Sequence, residues 1–183
     1  MPSGSYGAAY LQDVLRQFRY FKTLADKALA RVPDAQLHTE LDPNSNSIAI
    51  IVKHVAGNLR SRYRDFLTTD GEKADRDRDR EFEMANGTPR ADILGWWDEG
   101  WATAFAAIEA LTPADLDRTV HIRGEAFLVV EALNRSVPHT AYHVGQIVYL
   151  ARHFAGDGWT SLTVPRGGST NVKGEFKTQP RTP

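Results

Sequence analysis

The sequence predicts an all-α four-helix bundle, and three observations carry that expectation. Four long segments place apolar residues at alternating spacings of three and four, the stripe of an amphipathic helix. Their seams have similar spacing, as packing around a common core requires. Between them fall residues that start and stop helices, among them Pro33, Asp42-Pro43-Asn44, Thr88-Pro89 and Thr112-Pro113.

The first segment carries Leu11, Val14, Phe18, Phe21, Ala25, Ala28 and Val32 and is expected to end at Pro33. A polar linker, residues 42–46, suits a turn and a cap. The second segment follows with Ile48, Val52, Val55, Leu59, Tyr63 and Phe66. The third is expected to open on a Thr88 cap with Pro89 in the first turn. It runs through Leu94, Trp97, Trp101, Phe105, Ile108 and Leu111 and stops at Thr112-Pro113. The fourth reads Val130, Leu133, Val137, Ala141, Val144, Val148 and Ala151, and its periodicity passes through Pro138. That continuity favours one kinked helix over a start at a Ser136 cap. Before it, residues 119–128 alternate around Gly124, the pattern of a short hairpin, although an irregular connection fits too. The chain shows no repeat beyond the seam.

With 183 residues, 42% hydrophobic and 25% charged, the chain can build one substantial core. A single domain over residues 1–183 is expected, its bundle spanning about residues 6–155 and an irregular tail about 156–183. No run approaches the ~18 apolar residues of a membrane span, and the start has no charged-then-apolar leader pattern. A cytoplasmic protein without membrane partners is therefore expected. A net charge of −1 gives no electrostatic reason to expect nucleic acid. With no cysteine, thiolate ligands and an internal thiol nucleophile are excluded, and any metal must be held by nitrogen and oxygen.

Chemistry concentrates in the fourth segment. His139 and His143, four apart, project from one helix face, an arrangement able to hold a metal ion. On a helical wheel His143 falls between Leu150 and Ile147, with His139 and Gln146 at the margin of that arc and Asn134, Gly145, Tyr149 and Arg152 on the wet side. A three-ligand site needs one more donor, and His54 is the candidate. It lies on a polar strip with Ser47, Asn58, Ser61 and Asp65 beside the second seam. Two core histidines bonded to backbone or water explain the same spacing. Arg62, along the same side, would suit a carboxylate or another anion; an ion pair with Asp65 or another helix is the alternative. No acidic general base stands near His54, since Asp65 is about 16 Å away by helical rise. The alternating charges of residues 75–83 read first as a solvated loop, with Phe82 and Met84 the hint of a lid or dimer contact. His38, His121 and His153 carry no expected role, and the tryptophans at 96, 97 and 101 are assigned to core or dimer surface.

The histidine set together with "HTAYHVGQ" resembles the DinB-like superfamily of four-helix bundles (DinB/YfiT-like), which includes bacillithiol- and mycothiol-dependent transferases. "IVKHVAGNLRSRYRDFLTTDGEK", "RDRDREFE" and "LTVPRGGST" resemble an uncharacterised branch of it. The resemblance implies a homodimer and a divalent metal, nickel or zinc, on His54, His139 and His143. It implies a small-molecule substrate and an external low-molecular-weight thiol in a metal-dependent transferase. A hydrolase, or a non-catalytic metal- or ligand-binding stress-response protein, are the alternatives. Asn58, Arg62, Gln146 and, from a tail folded over the bundle mouth, Arg166 are the substrate-side candidates.

Overall fold

The computed structural model describes residues 3–85 and 87–171. Helices α1 (Ser3–Leu29), α3 (Ile48–Tyr63), α4 (Arg90–Glu109) and α5 (Val129–Ala155) form the bundle, with a one-turn α2 (Asp34–Leu37) after the first. Strands β1 (Thr119–Ile122) and β2 (Glu125–Leu128) form the hairpin before α5. Among the described residues the tail after α5 has only 3₁₀ turns as regular structure; residues beyond 171 lie outside the described ones. No described helix is long and apolar enough to cross a membrane.

Local chemistry accounts for the ends. The Asp42 side chain receives the Asn44 N–H at 2.9 Å and turns the linker. Ser47 Oγ then accepts the Ile50 N–H at 3.3 Å and caps α3. Helix α1 stops at Leu29, before Pro33, but Val32 is still buried. Helix α4 begins one residue later than expected: Pro89 occupies the cap position, and Thr88 Oγ1 bonds back to the Ala85 carbonyl instead. Proline needs no partner for a missing N–H, so it serves outside the first turn as well as inside it. Helix α5 runs unbroken through Pro138, and its first turn is closed by Glu131, which accepts the Leu128 N–H at 2.7 Å. The hairpin forms, with Ile122 opposite Glu125 and both Arg123 and Gly124 at positive φ (57° and 78°), the two-residue turn that matches strand twist.

Contacts fix the helix directions. Tyr10 near the start of α1 bonds to Asn134 near the start of α5, while Arg31 just past α1 meets Trp159 and the Thr160 carbonyl just past α5. These two helices are parallel. Arg90 at the start of α4 bonds to the Val32 carbonyl, and Glu109 at its end pairs with Arg19, so α4 opposes α1. Lys53 lies over Trp96, and Gly100 meets the Ala56 backbone one turn on, so α3 runs parallel to α4. A parallel pair cannot be joined by a tight turn. Residues 64–89 therefore travel back along the bundle, pinned to the hairpin by Asp70, which accepts the Arg123 and Gly124 N–H groups at 2.9 and 2.8 Å. Inside, Phe18 stands edge-on to Tyr63 and Trp101, and Trp97 is buried with its indole N–H on Asp26 at 2.8 Å. Trp96 is at the surface.

Candidate metal centre

The second turn of α3 and the middle of α5 bring three imidazoles together. His54 is buried, His139 and His143 are half-buried, and one ring nitrogen from each lies within 4.8 Å of the others. Ring centroids stand 4.8 Å apart for His54 and His143, 4.7 Å for His139 and His143, and 5.6 Å for His54 and His139. Among the described residues no cysteine, carboxylate or further histidine joins the cluster.

Hydrogen bonds choose which nitrogen two of the rings offer. His143 Nδ1 lies 2.8 Å from Gln146 Oε1 one turn on, and His54 Nδ1 lies 2.8 Å from Glu81 Oε2. Both partners are oxygens that accept, so Nδ1–H donates and Nε2 is the nitrogen left for the cluster. Burial, then the neighbouring His143 and His54 and the cations Arg62 and Arg76, push the His139 imidazole down to about 4. His143 also lies below the ordinary value, mainly through burial; the Gln146 bond opposes that, and His54 adds to it. Three imidazole nitrogens are a donor set that a borderline divalent ion takes, so the residues present fit the nickel or zinc that the resemblance implies.

Glu81 overturns two expectations. The charged crossover is not simply a solvated loop, because its 3₁₀ turn (Asp79–Phe82) carries Glu81 into the core beside His54. An acid does therefore stand at the site, while Asp65 is exposed at the end of α3. Arg76, half-buried with its side chain turned inward, forks onto Glu81 with Nε to Oε1 at 2.7 Å and Nη2 to Oε2 at 2.9 Å. Burial raises the Glu81 pKa, but the bonds from His54 and Arg76 outweigh it and hold the carboxyl below the ordinary value. The sequence signal for this was slight: Phe82 and Met84 are the only apolar residues in a run of charges.

The other expected residues are spread more widely. Asn58 is buried one turn from His54. Arg62 pairs with Glu72 of the crossover at 3.3 Å rather than with Asp65, and its Nη1 is buried without a hydrogen-bond partner. Gln146 faces His143. Arg166 is exposed in the tail. His38 bonds to the Thr88 carbonyl at 3.1 Å, and His121 and His153 are exposed. A cleft of about 260 Å³ runs between α3, α4 and the crossover; Arg76 and Glu81 line it, and none of the three histidines does.

A family model described as a protein of unknown function (DUF1572) matches residues 5–168. The chain belongs to that family, which is one of the DinB-like superfamily. No curated protein matches it.

Proposed function

We propose that this DUF1572 protein binds one nickel or zinc ion through Nε2 of His54 and of His143 and a ring nitrogen of His139, and works as a metal-dependent transferase of an external low-molecular-weight thiol. One observation carries the reading: three imidazole nitrogens within 4.8 Å, no fourth ligand among the described residues, and two of the rings half-exposed. A structural site closes with four protein ligands, whereas a reactive one keeps a position open. When bound, the ion would supply Lewis acidity, favouring an anion and lowering the pKa of a thiol or water beside it.

The rest follows from this chain's own groups. Gln146 and Glu81 hold two of the rings in the tautomer that points Nε2 inward. His139 stays neutral above about pH 4 and adds no positive charge. Glu81 already has both oxygens engaged by Arg76 and His54, so it is not free to take a proton from a nucleophile. Hydrolysis needs such a base more than thiol transfer does, since a thiol with a pKa near 8.5 loses its proton to solvent readily. With no cysteine in the chain, the thiol comes from outside.

Elemental analysis of untagged protein tests the first half. About one equivalent of metal is expected, falling to near zero in folded His54→Ala, His139→Ala and His143→Ala. Offering glutathione, bacillithiol or mycothiol with a chlorinated aromatic acceptor tests the second. There a sulfur–carbon bond forms, chloride leaves and the thiol proton passes to solvent. No turnover with any of the three by the metal-loaded protein would leave a metal-binding protein and remove the transferase.

A further inference from the structure

The crossover grips the metal centre from behind. Four consecutive residues of its 3₁₀ turn and exit meet one face of α3. Lys53 Nζ donates to the carbonyls of Arg80 and Glu83 at 2.6 and 2.7 Å. Glu81 takes His54 Nδ1–H, and the Phe82 ring lies 4.8 Å from the His54 ring. Room for the carboxylate exists only because residue 57 is glycine: a Cβ there would overlap Glu81 Oε1 and stand 2.9 Å from Cδ. Arg76 carries the contact onward. Its Nη1 reaches both oxygens of Glu72 at 3.2 and 3.3 Å, and Glu72 also receives Arg123 Nε from the hairpin at 3.1 Å.

We propose that Glu81 is the positioning residue of the centre and that the crossover is a metal-responsive clasp, so that metal binding on His54 Nε2 and closure of residues 72–83 strengthen each other. This rests on the metal-binding reading. A cation at Nε2 withdraws electron density from the ring and makes Nδ1–H a stronger donor to an anionic carboxylate. Whatever the metal does for that bond, the bond does for metal affinity by the same factor. A crossover that is merely an ion-paired loop predicts no such coupling.

The test uses full-length protein and zinc alone. Competition with a chromophoric chelator gives the zinc Kd, and hydrogen exchange with and without zinc reads the amides of residues 72–83. Zinc is expected to slow that exchange several-fold in wild type and to leave it unchanged in His139→Ala. Gly57→Ala, which displaces Glu81 without removing a charge, is expected to raise the zinc Kd about tenfold or more. Glu81→Gln, which weakens the acceptor in place, is expected to do so as well and to lose the single Nδ1–H tautomer of His54 that ¹⁵N NMR is expected to show in metal-free wild type. Wild type that binds no zinc overturns the triad reading and the clasp with it. Wild type that binds zinc with unchanged exchange, or folded variants with wild-type affinity, overturns the clasp alone.

Discussion

Replacing Gly100 by alanine should destabilise the protein, whereas the same change at Gly95, five residues earlier in α4, should stabilise it. A Cβ at Gly100 would stand 2.8 Å from both Ala56 Cα and the Ala56 carbonyl oxygen and 3.2 Å from the carbonyl carbon. Carbon atoms pack best at about 3.5–4.0 Å, and these are backbone atoms of α3 that no rotamer change can move. The helices must part by several tenths of an ångström. A radial gap of about 0.5–1 Å forfeits roughly a quarter to a half of a contact's dispersion energy. Trp97, Trp101 and Ala104, all buried, lie on the helix that must shift. Overpacking of this kind costs about 1–3 kcal/mol, against a gain of about 1 kcal/mol in helix propensity. With no room to relax, a net loss of about 1–2 kcal/mol is expected. That corresponds to a fall in Tm of roughly 2–8 °C for a chain of this size. At Gly95 a Cβ would meet nothing within 4 Å and the residue is exposed, so only the propensity gain, about 0.5–1 kcal/mol, remains. Urea unfolding of metal-free protein, followed by far-ultraviolet circular dichroism, reads both. A Gly100→Ala protein as stable as Gly95→Ala would refute the parallel, backbone-close packing of α3 on α4.

Other expectations are as direct. Metal-free protein should lose stability as pH falls from about 6.5, where an unfolded imidazole protonates, toward about 4, where folded His139 does. In that window the unfolded chain binds more protons, so unfolding is favoured; His139→Gln should flatten the slope in urea titrations repeated across pH, and an unchanged slope would count against the depressed value. Gln146→Leu removes the oxygen that receives His143 Nδ1–H and should weaken zinc binding about tenfold, with Gln146→Glu restoring it; equal affinity in all three would deny Gln146 that role. Gly124→Ala, at φ 78° in the hairpin turn, should cost about 1 kcal/mol in the same unfolding assay, and a neutral result would argue against this turn geometry.

The helices were legible because burial is periodic. Leu11, Val14, Phe18, Ala25 and Ala28 are buried where the stripe of α1 placed them. The seam of α5 was read less well: Val130, Val137, Ala141 and Val148 are only half-buried, while Ala132, Thr140, Ile147 and Leu150 are buried. At about 100° per residue the four half-buried residues share one flank and the four buried ones lie on the other, so the stripe was set to one side of the buried face. The wheel, which uses the true angle, placed His143 between Ile147 and Leu150 correctly. His54, His139 and His143 could be found because two of them share a helix face and the third lies on a strip of polar residues that a buried face would not otherwise carry.

Glu81 could not be found in that way, and the reason lies in topology. In the run Asp75-Arg76-Asp77-Arg78-Asp79-Arg80-Glu81 each charge looks locally like the next, and a solvated loop is the fair reading of any one of them. What separates Glu81 is a pair of distant facts. Because α3 and α4 are parallel neighbours, the chain must return along the 16 residues of α3, about 24 Å of helix. An extended strand covers that in roughly 7–8 residues, yet the connection occupies residues 64–89. The surplus length can fold onto α3, and the place it enters is the one turn where Gly57 lacks a Cβ, one turn from His54. A buried acid in a charged loop thus becomes readable only when the return path and the gap that receives it are considered together.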